Sequence, residues 1–238
     1  RVSNNINQYF KNYKSFKIQI VCLLYFNLLK YIDKFVCVSN GLMQELKRKT
    51  KKKHHSKIMA INNPVDEKYI IKFSKGKISN KNNLKKNFIL TIGRLNVNKD
   101  HITLIKAFKY FLFLNNKKYF NYYLIIIGTG DLFGKLMEFI KQENLQNKIK
   151  ILKNIDNPYI FIKKSKLFVL SSIFEGNPNV LLEAQVLKKK IVSTDCNYGP
   201  SEILNKGKYG YLVKEKDYKA LGLKMYLAMK KKNKSMSL

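Results

Sequence analysis

The sequence of 238 residues predicts an α/β protein built on a parallel β-sheet with helices on both faces. Short apolar segments recur through residues 87–214, and most are followed by a stretch with helical periodicity. Several segments are apolar at nearly every position, as in YYLIIIG (122–128), which is typical of strands buried on both faces. Turns rich in glycine and polar residues follow the same ends of these strands. Ligands of open parallel sheets bind at that edge, so we expect the functional site there.

The amino-terminal part predicts a helix, a small strand–helix–strand unit and a linker. Aromatic and aliphatic residues at three- and four-residue intervals indicate a helix over 6–31. The run KFVCVS (34–39) indicates a strand, and Asn40 starts a helical stretch, GLMQELKRK. KIMAINNPVD (57–66) indicates a strand that leaves through a proline turn. The polar segment 72–87, rich in Lys, Asn, Ser and Gly, is typical of an interdomain linker.

From residue 87 onward, the sequence predicts a regular alternation of strands and helices. The helix after the first of these strands has an apolar stripe that runs from Ile102 to Leu112 at helical spacing. Strands are predicted at 87–93, 122–128, 148–153, 166–172, 189–194 and 209–214, and helices at 101–116, 131–143, 157–165, 178–188 and 200–205. Such alternation requires a parallel sheet, because each helix carries the chain back to the starting edge.

The sequence carries a formal net charge of +32, from 47 Lys and Arg residues against 15 Asp and Glu residues. Such an excess favours an anionic partner, whether a nucleic acid, a phosphorylated substrate or a membrane surface. A compositional origin is an equal alternative, because Lys, Asn, Ile, Tyr and Phe are abundant and Trp is absent, as in AT-rich genomes. Only KRKTKKK (47–53) and KKKNK (230–234) form basic blocks, and no RNA-binding signature accompanies them.

Cysteine usage and hydropathy indicate a cytoplasmic protein. Cys22, Cys37 and Cys196 form neither a C-x-x-C pair nor a disulfide framework, which is the pattern of a reducing compartment. The longest apolar stretch, residues 18–29, is too short and too interrupted to span a bilayer. Peripheral attachment to the anionic inner face of the cytoplasmic membrane is compatible with the charge.

Three common nucleotide-binding signatures do not fit. The turn in IIIGTGDLFG (125–134) is one residue longer than the dinucleotide fingerprint and lacks its acidic partner, although its amides could still face an anion. The chain contains neither a P-loop motif nor a metal-binding pair of aspartates two positions apart. We therefore expect no metal and no cofactor, and side-chain cations must neutralise any bound diphosphate.

The segment GRLNVNKD (93–100) could supply those cations. Gly93 ends a predicted strand and permits a tight turn, and Arg94 offers a planar fork for two phosphate oxygens. Lys99 adds a point charge. At an effective dielectric near 20, a charge pair at about 4 Å is worth roughly 4 kcal/mol before desolvation. The alternative for this segment is an ordinary solvated loop in a lysine-rich protein.

The segment EGNPNVLLEA (175–184) is a second candidate for a binding site. Pro178 suits the first position of a helix. Glu175 precedes that helix and Glu183 lies about two turns into it, so the two carboxylates are too far apart for an acid–base pair. The spacing fits two carboxylates that each accept hydrogen bonds from hydroxyl groups of one ligand. The alternative is that Glu175 is a loop residue and Glu183 an exposed helix residue. The free amides at the helix start belong to Asn179, Val180 and Leu181.

Taken in order, these segments resemble the retaining glycosyltransferases of family four, which have the GT-B fold. GRLNVNKDHITLIKAF is similar to the family's G-R-L-x(3)-K segment and the helix after it. KKSKLFVLSSIFEGNPNVLLEA is similar to its most diagnostic block. IIIGTGDL and DCNYGPSEIL resemble its Gly-rich turn and its G-P-x-E-I loop. VSNGLMQEL and INNPVD resemble the end of its amino-terminal domain and the crossover that follows.

The resemblance implies a role for each matched residue. Arg94 and Lys99 would hold the diphosphate of a nucleotide-sugar donor. Glu175 would bind hydroxyls of the transferred sugar and Glu183 those of the ribose, while the amides of residues 179–181 would support the phosphates. The implied catalytic residues are Glu175, Arg94 and Lys99, and the implied donor-binding set is Gly93, Arg94, Lys99, Glu175, Asn179, Val180, Leu181 and Glu183.

The resemblance also implies an activity. Such enzymes move a sugar from a nucleotide diphosphate donor, here with a UDP-sugar favoured, to a glycan or lipid-linked acceptor. They retain the anomeric configuration and need no bound metal. The implied setting is bacterial capsule, lipopolysaccharide or surface-glycan synthesis. Recognition of the base would fall in the loop near residues 154–157.

Four regions are implied by the resemblance. Residues 1–60 would be the tail of the amino-terminal, acceptor-side domain, and 61–87 the interdomain crossover and linker. Residues 88–217 would form the carboxy-terminal nucleotide-sugar-binding domain, and 218–238 a terminal helix and basic tail.

Two alternatives to an active transferase stay open. Residue 1 is Arg, and most of the family's amino-terminal domain is unmatched, so we expect a fragment of a longer reading frame or an inactive, degenerate gene product. A basic nucleic-acid-binding protein is the other alternative, and it predicts tight, steeply salt-dependent binding of DNA or RNA.

Overall fold

The computed structural model describes residues 31–78, 87–114 and 121–231. The helix predicted over 6–31 falls almost wholly outside the described residues, as does the end of the basic tail. The first described elements are strand β1 (Phe35–Cys37), helix α1 (Asn40–Lys49) and strand β2 (Ile58–Ala60). The two strands are parallel, with Phe35 opposite Ile58. This strand–helix–strand unit, residues 31–60, is called the small unit below, and its predicted elements are confirmed.

Helix α1 is specified by its caps and its apolar face. Ser39 is the N-cap, and its hydroxyl accepts a hydrogen bond from the Leu42 amide at 3.4 Å. Basic residues fill the last turn, where they complement the helix dipole. The apolar face closes a core of six buried residues: Phe35, Cys37, Val38, Leu42, Leu46 and Ile58.

A helix that the sequence pattern does not predict, α2 (Glu67–Phe73), follows the small unit. Asp66 caps it by accepting from the Tyr69 amide at 2.9 Å. Only Ile70 of this helix is buried, and it joins the apolar core of the larger sheet. The weak apolar stripe explains why the segment is predicted as a crossover rather than a helix.

The larger sheet has six parallel strands in the spatial order β5–β4–β3–β6–β7–β8. The strands are β3 (Phe88–Ile92), β4 (Tyr123–Ile127), β5 (Ile149–Leu152), β6 (Leu167–Leu170), β7 (Ile191–Thr194) and β8 (Tyr211–Val213). The helices are α3 (His101–Phe113), α4 (Phe133–Gln142), α5 (Tyr159–Lys164), α6 (Asn179–Val186), α7 (Pro200–Ile203) and α8 (Tyr218–Lys230). All six predicted strands and the helices between them are confirmed, with ends shifted by a few residues.

Apolar layers cover both faces of this sheet, as the strand composition predicts. In β4, Leu124 and Ile126 face the layer formed with α3, α4 and α8, whereas Ile125 and Ile127 face the layer formed with α2, α5 and α6. Successive strand residues point to opposite faces, so a strand buried on both sides must be apolar throughout. Across residues 31–78, 87–114 and 121–231, none of the helices is long and apolar enough to cross a bilayer.

Candidate active site

The carboxyl ends of strands β3, β6 and β7 are joined by hydrogen bonds between the loops that follow them. The Ser171 hydroxyl, just after β6, donates to the carbonyl oxygen of Lys99 at 2.8 Å. The Thr194 hydroxyl, at the end of β7, donates to the carbonyl oxygen of Ser172 at 2.5 Å. The candidate loops after β3 and β6 therefore lie side by side at the edge where parallel sheets bind ligands.

Lys99 is placed by a short 3₁₀ turn, Val97–Lys99, between β3 and α3. Asn96 caps this turn, because its Oδ1 accepts from the Lys99 amide at 3.3 Å. Asp100 then adopts a left-handed conformation with φ of 42°, which an aspartate tolerates better than most residues. Its carboxylate caps α3 by accepting from the Thr103 amide at 3.2 Å. Two side-chain caps in succession thus fix the backbone around Lys99.

Lys99 and Glu175 form an ion pair across the two loops. The Lys99 ammonium donates a short hydrogen bond to Oε1 of Glu175. The Ser172 hydroxyl donates to the same oxygen at 2.6 Å. Glu175 is only 8% exposed, so these donors compensate the cost of burying its charge. The family resemblance assigns the two residues to different parts of the donor, and the structure brings them into direct contact.

Gly93 and Arg94 lie at the start of the same loop. A Cβ on Gly93 would come within 3.3 Å of the Lys99 side chain, so the glycine leaves space for that stem. A Cβ on Gly128 would lie 1.9 Å from the Gly93 carbonyl oxygen, so the turns after β3 and β4 touch through their backbones. Arg94 is exposed, and within the described part of the chain its guanidinium has no ion-pair partner.

The Gly-Thr-Gly turn after β4 packs against the loop after β3. The Leu95 amide donates to the Thr129 carbonyl at 2.8 Å, and the Leu132 amide donates to the Leu95 carbonyl at 3.0 Å. The amide of Phe133, the first residue of α4, donates to the Gly130 carbonyl at 3.2 Å. The Leu132 and Phe133 amides therefore have protein acceptors, and anion binding by the remaining amides of this turn stays a prediction.

The start of α6 presents two open amides rather than the three expected. Pro178 is the N-cap, whereas the sequence predicts it as the first residue of the helix. Its carbonyl accepts from the Leu181 amide at 3.0 Å. Within the described residues, the Asn179 and Val180 amides have no acceptor. The expectation of a free Leu181 amide is therefore wrong. The two remaining amides carry the positive end of the helix dipole.

Glu183 lies in the second turn of α6 in different surroundings from Glu175. Its side chain is half-buried, and burial raises the pKa of its carboxyl above the ordinary value. It accepts no hydrogen bond from the described part of the chain. The pKa of the Tyr159 phenol is raised, mainly by burial and then by the charge of the nearby Glu183 carboxylate. Glu183 is thus the carboxylate that could accept hydrogen bonds from the hydroxyl groups of a ligand.

The predicted base-recognition loop is used in part by the fold. Asn157 Nδ2 donates to the Phe73 carbonyl at 3.0 Å, which attaches the loop to the end of α2. Asn157 Oδ1 accepts from the Tyr159 amide at 3.2 Å at the start of α5. The Asn157 side chain is therefore engaged with the protein, and base recognition through this loop stays a prediction for its backbone groups.

Two asparagines that the sequence pattern does not single out, Asn63 and Asn177, support the loop before α6. Asn177 Nδ2 donates to the Val38 carbonyl at 2.6 Å. Asn63 Nδ2 donates to the Asn177 carbonyl at 2.9 Å and to Oδ1 of Asn179 at 2.6 Å. The partners are 114 to 139 positions apart, so no local pattern indicates these contacts. Each asparagine directly precedes a proline, and that shared N-P pair is a signal that could have drawn attention to both.

The described residues contain no group of three His, Cys, Asp or Glu side chains placed to hold a metal ion. Cys196 lies near Glu175, but burial, followed by the Glu175 charge, raises the pKa of its thiol to about 12. Since the thiolate is the reactive form, this shift disfavours Cys196 as a nucleophile. The groups that the structure places at this edge are cations, carboxylates and open amides.

The fold matches that of a solved glycosyltransferase from Rickettsia africae, with a TM-score of 0.69 at 24% sequence identity over 85% of this chain and 56% of that chain. Anabaena Alr3699/HepE, solved in complex with UDP and glucose, gives a TM-score of 0.71 at 17% sequence identity. The match covers 85% of this chain and 55% of the HepE chain. At this level of identity the likeness is one of fold alone, and it confirms the GT-B type α/β class. The chain thus has the architecture of a GT-B glycosyltransferase.

Residues 73–238 match the model of the family described as Glycosyl transferases group 1, and the chain belongs to that family. The chain is 34% identical over 239 residues to the uncharacterized glycosyltransferase MJ1059 of Methanocaldococcus jannaschii. That match covers 90% of this chain and 55% of the archaeal protein.

A second relative has an assigned reaction. Over 130 residues the chain is 37% identical to the Campylobacter jejuni N-acetylgalactosamine-N,N'-diacetylbacillosaminyl-diphospho-undecaprenol 4-alpha-N-acetylgalactosaminyltransferase. That match covers 55% of this chain and 34% of the enzyme. The chain therefore spans about half or less of the length of these relatives.

Proposed function

We propose that this protein transfers a sugar from a UDP-sugar to a glycan or lipid-linked acceptor, with retention of the anomeric configuration. The observation that carries the proposal is the Lys99–Glu175 pair at the carboxyl edge of the sheet. A cation for phosphate and a carboxylate for sugar hydroxyls meet there, in the loops after β3 and β6. The UDP and glucose bound to HepE support the donor class, and the diphospho-undecaprenol in the Campylobacter enzyme's name supports a lipid-linked acceptor in surface-glycan synthesis.

Donor binding exchanges the contacts of the ion pair. The Lys99 ammonium turns to the diphosphate, and the Glu175 carboxylate, still held by Ser172, accepts from the sugar hydroxyls. Arg94 closes on the phosphates from solvent, where its guanidinium is free to move. The open amides of Asn179 and Val180 face the same negative charge. These groups stabilise the charge that grows on the leaving diphosphate.

The reaction proposed is a displacement on one face of the sugar. The bond between the anomeric carbon and the phosphate oxygen breaks, and its electron pair leaves with the diphosphate. The acceptor oxygen bonds to the anomeric carbon from the same side, which retains the configuration. The acceptor proton passes to the departing phosphate oxygen. No metal and no cofactor take part, because Arg94 and Lys99 neutralise the diphosphate.

Glu183 is assigned to the ribose hydroxyls of the donor. Its carboxylate is half-buried, and none of the described residues donates to it, so hydroxyl groups that donate to it relieve a desolvation cost already present in the free protein. The base would lie toward residues 154–157. Glu175 and Glu183 then bind two sugars of one nucleotide-sugar.

The same proposal places the protein in the cytoplasm, at the inner face of the membrane. A lipid-linked acceptor is held there, and anionic headgroups attract basic surfaces. Lys51, Lys52 and Lys53, between α1 and β2 of the small unit, are exposed and lie in the basic block 47–53. They are the residues assigned to that contact.

Calorimetric titration of the full chain with UDP tests the proposal. We expect wild-type binding to weaken at least about tenfold in Lys99→Met and in Glu183→Gln, which is about 1.4 kcal/mol each. Lys109→Met and Glu143→Gln are matched controls, because they break an exposed ion pair of 2.7 Å between α3 and the end of α4. Equal binding by wild type and both site variants would contradict the proposal. Tight, salt-sensitive DNA binding without UDP binding would favour the nucleic-acid alternative.

A further inference from the structure

The loop from β7 into α7, residues 195–202, reaches across to the start of helix α1. Glu202 Oε2 accepts from the Asn40 amide at 2.9 Å, and Glu202 Oε1 accepts from the Gly41 amide at 2.8 Å. Helix α1 has no acidic residue in its own first turn. The carboxylate that complements its dipole comes from 162 positions further along the chain.

Tyr198 makes a second contact from the same loop. Its ring lies against Gly41, where a Cβ would be 2.2 Å from Cδ1 of the tyrosine. The ring packs on the apolar core of the small unit, and burial followed by Glu45 raises the pKa of its hydroxyl. Tyr198 has a left-handed backbone with φ of 67°, an uncommon conformation for a bulky residue. Tyr198 and Glu202 are called the latch below.

The loop that carries the latch also touches the segment that carries Glu175. Gly199 has φ of 92°, and a Cβ there would lie 2.7 Å from the Gly176 carbonyl oxygen and 2.8 Å from Pro178. From the other side, the Asn177 side chain donates to the Val38 carbonyl of the small unit. The small unit therefore meets the Glu175 segment directly through Asn177 and indirectly through the latch.

We propose that Glu202 and Tyr198 are positioning residues for the donor site. They hold the small unit in the place where Val38 can accept from Asn177, and that bond orders the segment between Glu175 and α6. Neither residue needs to touch the donor. This inference rests on the proposed function, because its effect is expressed in UDP affinity: a segment that must be ordered on binding lowers the observed affinity.

Hydrogen exchange tests the latch without any activity. In Glu202→Gln the side chain keeps its size, but its NH2 group cannot accept and its oxygen is uncharged, so both amides lose a charged acceptor. We expect the Asn40 and Gly41 amides to exchange at least about tenfold faster than in wild type. The Leu42 amide is an internal control, because Ser39 caps it and we expect a smaller change. Glu143→Gln is the matched control variant. Unchanged exchange at Asn40 and Gly41 would overturn the proposal.

Calorimetry with UDP tests the coupling to the donor site. We expect Glu202→Gln to bind UDP at least about threefold more weakly than wild type and Glu143→Gln to match wild type. Faster exchange with wild-type affinity would overturn the positioning role. A wild-type chain that binds no UDP would overturn the proposed function and the coupling with it, while the exchange contrast still decides whether the latch exists.

A double variant separates positioning from simple stabilisation of α1. Asn40→Asp places an exposed acid in the first turn, so in the Glu202→Gln background it restores charge at the helix start without restoring the contact between the loops. We expect thermal stability to recover in Glu202→Gln/Asn40→Asp while UDP affinity stays low. Recovery of UDP affinity would show that Glu202 acts only through the stability of α1, and would overturn the proposal.

Discussion

The loop before α6 and the second turn of α6 each carry a carboxylate, and the surroundings of the two differ. Glu175 is buried and held by the Lys99 ammonium and the Ser172 hydroxyl. Glu183 is half-buried, and its side chain accepts no hydrogen bond from the described part of the chain. Loss of the cationic partner of a buried carboxylate destabilises the fold. A buried carboxylate without a hydrogen-bond donor lowers stability itself until a ligand donates to it.

The largest expected effect comes from leaving Glu175 without its cation. We expect Lys99→Met to lower the free energy of unfolding by about 3–4 kcal/mol, because the Glu175 charge stays buried without its partner. Urea denaturation at pH 7 measures the change. The double variant Lys99→Met/Glu175→Gln should recover at least half of that loss, since both charges are then gone. A Lys99→Met loss no larger than that of the exposed control Lys109→Met would contradict a structural role for the pair.

The second largest effect on stability is expected at His101, which follows Lys99 at the start of α3. It is buried, its Nδ1 has no partner in the described part of the chain, and burial followed by the Lys99 charge lowers its pKa to about 4. The unfolded chain binds a proton near pH 6.5, so stability is fully present above that pH and falls as the pH drops toward 4. We expect a loss of about 3 kcal/mol over this range. Urea denaturation across it should show a flatter profile for His101→Leu. An unchanged acid loss in His101→Leu would contradict the role of His101 in the acid sensitivity.

Glu183→Gln should reverse the pattern seen at Glu175. Its removal relieves a desolvated charge, so we expect the free energy of unfolding at pH 7 to equal or exceed that of wild type. UDP affinity should fall by roughly tenfold, about 1.4 kcal/mol. Parallel denaturation and calorimetry on Glu183→Gln and the exposed variant Glu138→Gln provide the measurement. A lower free energy of unfolding for Glu183→Gln would contradict this prediction and would indicate that Glu183, like Glu175, stabilises the fold.

The smallest effect expected is a proton released on UDP binding. Burial raises the Glu183 pKa, so its neutral form contributes stability below the ordinary value of 4.5, and that contribution is lost as pH rises through the raised value. Hydroxyl groups that donate to the carboxylate favour its charged form, so UDP should displace a fraction of a proton. Calorimetry in two buffers of different ionisation enthalpy detects the release. The same release in Glu183→Gln would assign it to another group.

Local patterns are sufficient to predict most of the fold. Strands buried on both faces are apolar throughout, as in LIII of β4, and their spacing identifies the parallel sheet. Helix α2 is the exception, because it buries only Ile70 and its remaining apolar residues are largely exposed. Its N-cap Asp66 and first-turn Glu67 are local signals, but an isolated cap is weak evidence without an apolar stripe.

The residues of the site are predictable, but their contacts are not. Glycine, cation and carboxylate positions stand out at the strand ends in sequence. The Lys99–Glu175 pair joins residues 76 positions apart and requires β3 to lie next to β6, an order that periodicity does not determine. Asn177 and Glu202 act on the small unit through backbone groups of Val38, Asn40 and Gly41, and backbone acceptors and amides leave no trace in residue identity.

The cap that Glu202 supplies to α1 also has a consequence during synthesis. The ribosome makes α1 first and adds Glu202 162 residues later, which takes roughly 8–30 s at ordinary elongation rates. Over that interval the Asn40 and Gly41 amides lack the Glu202 carboxylate, and the core of the small unit lacks the Tyr198 ring that packs against it. The small unit therefore completes its contacts only after the loop 195–202 has been synthesised.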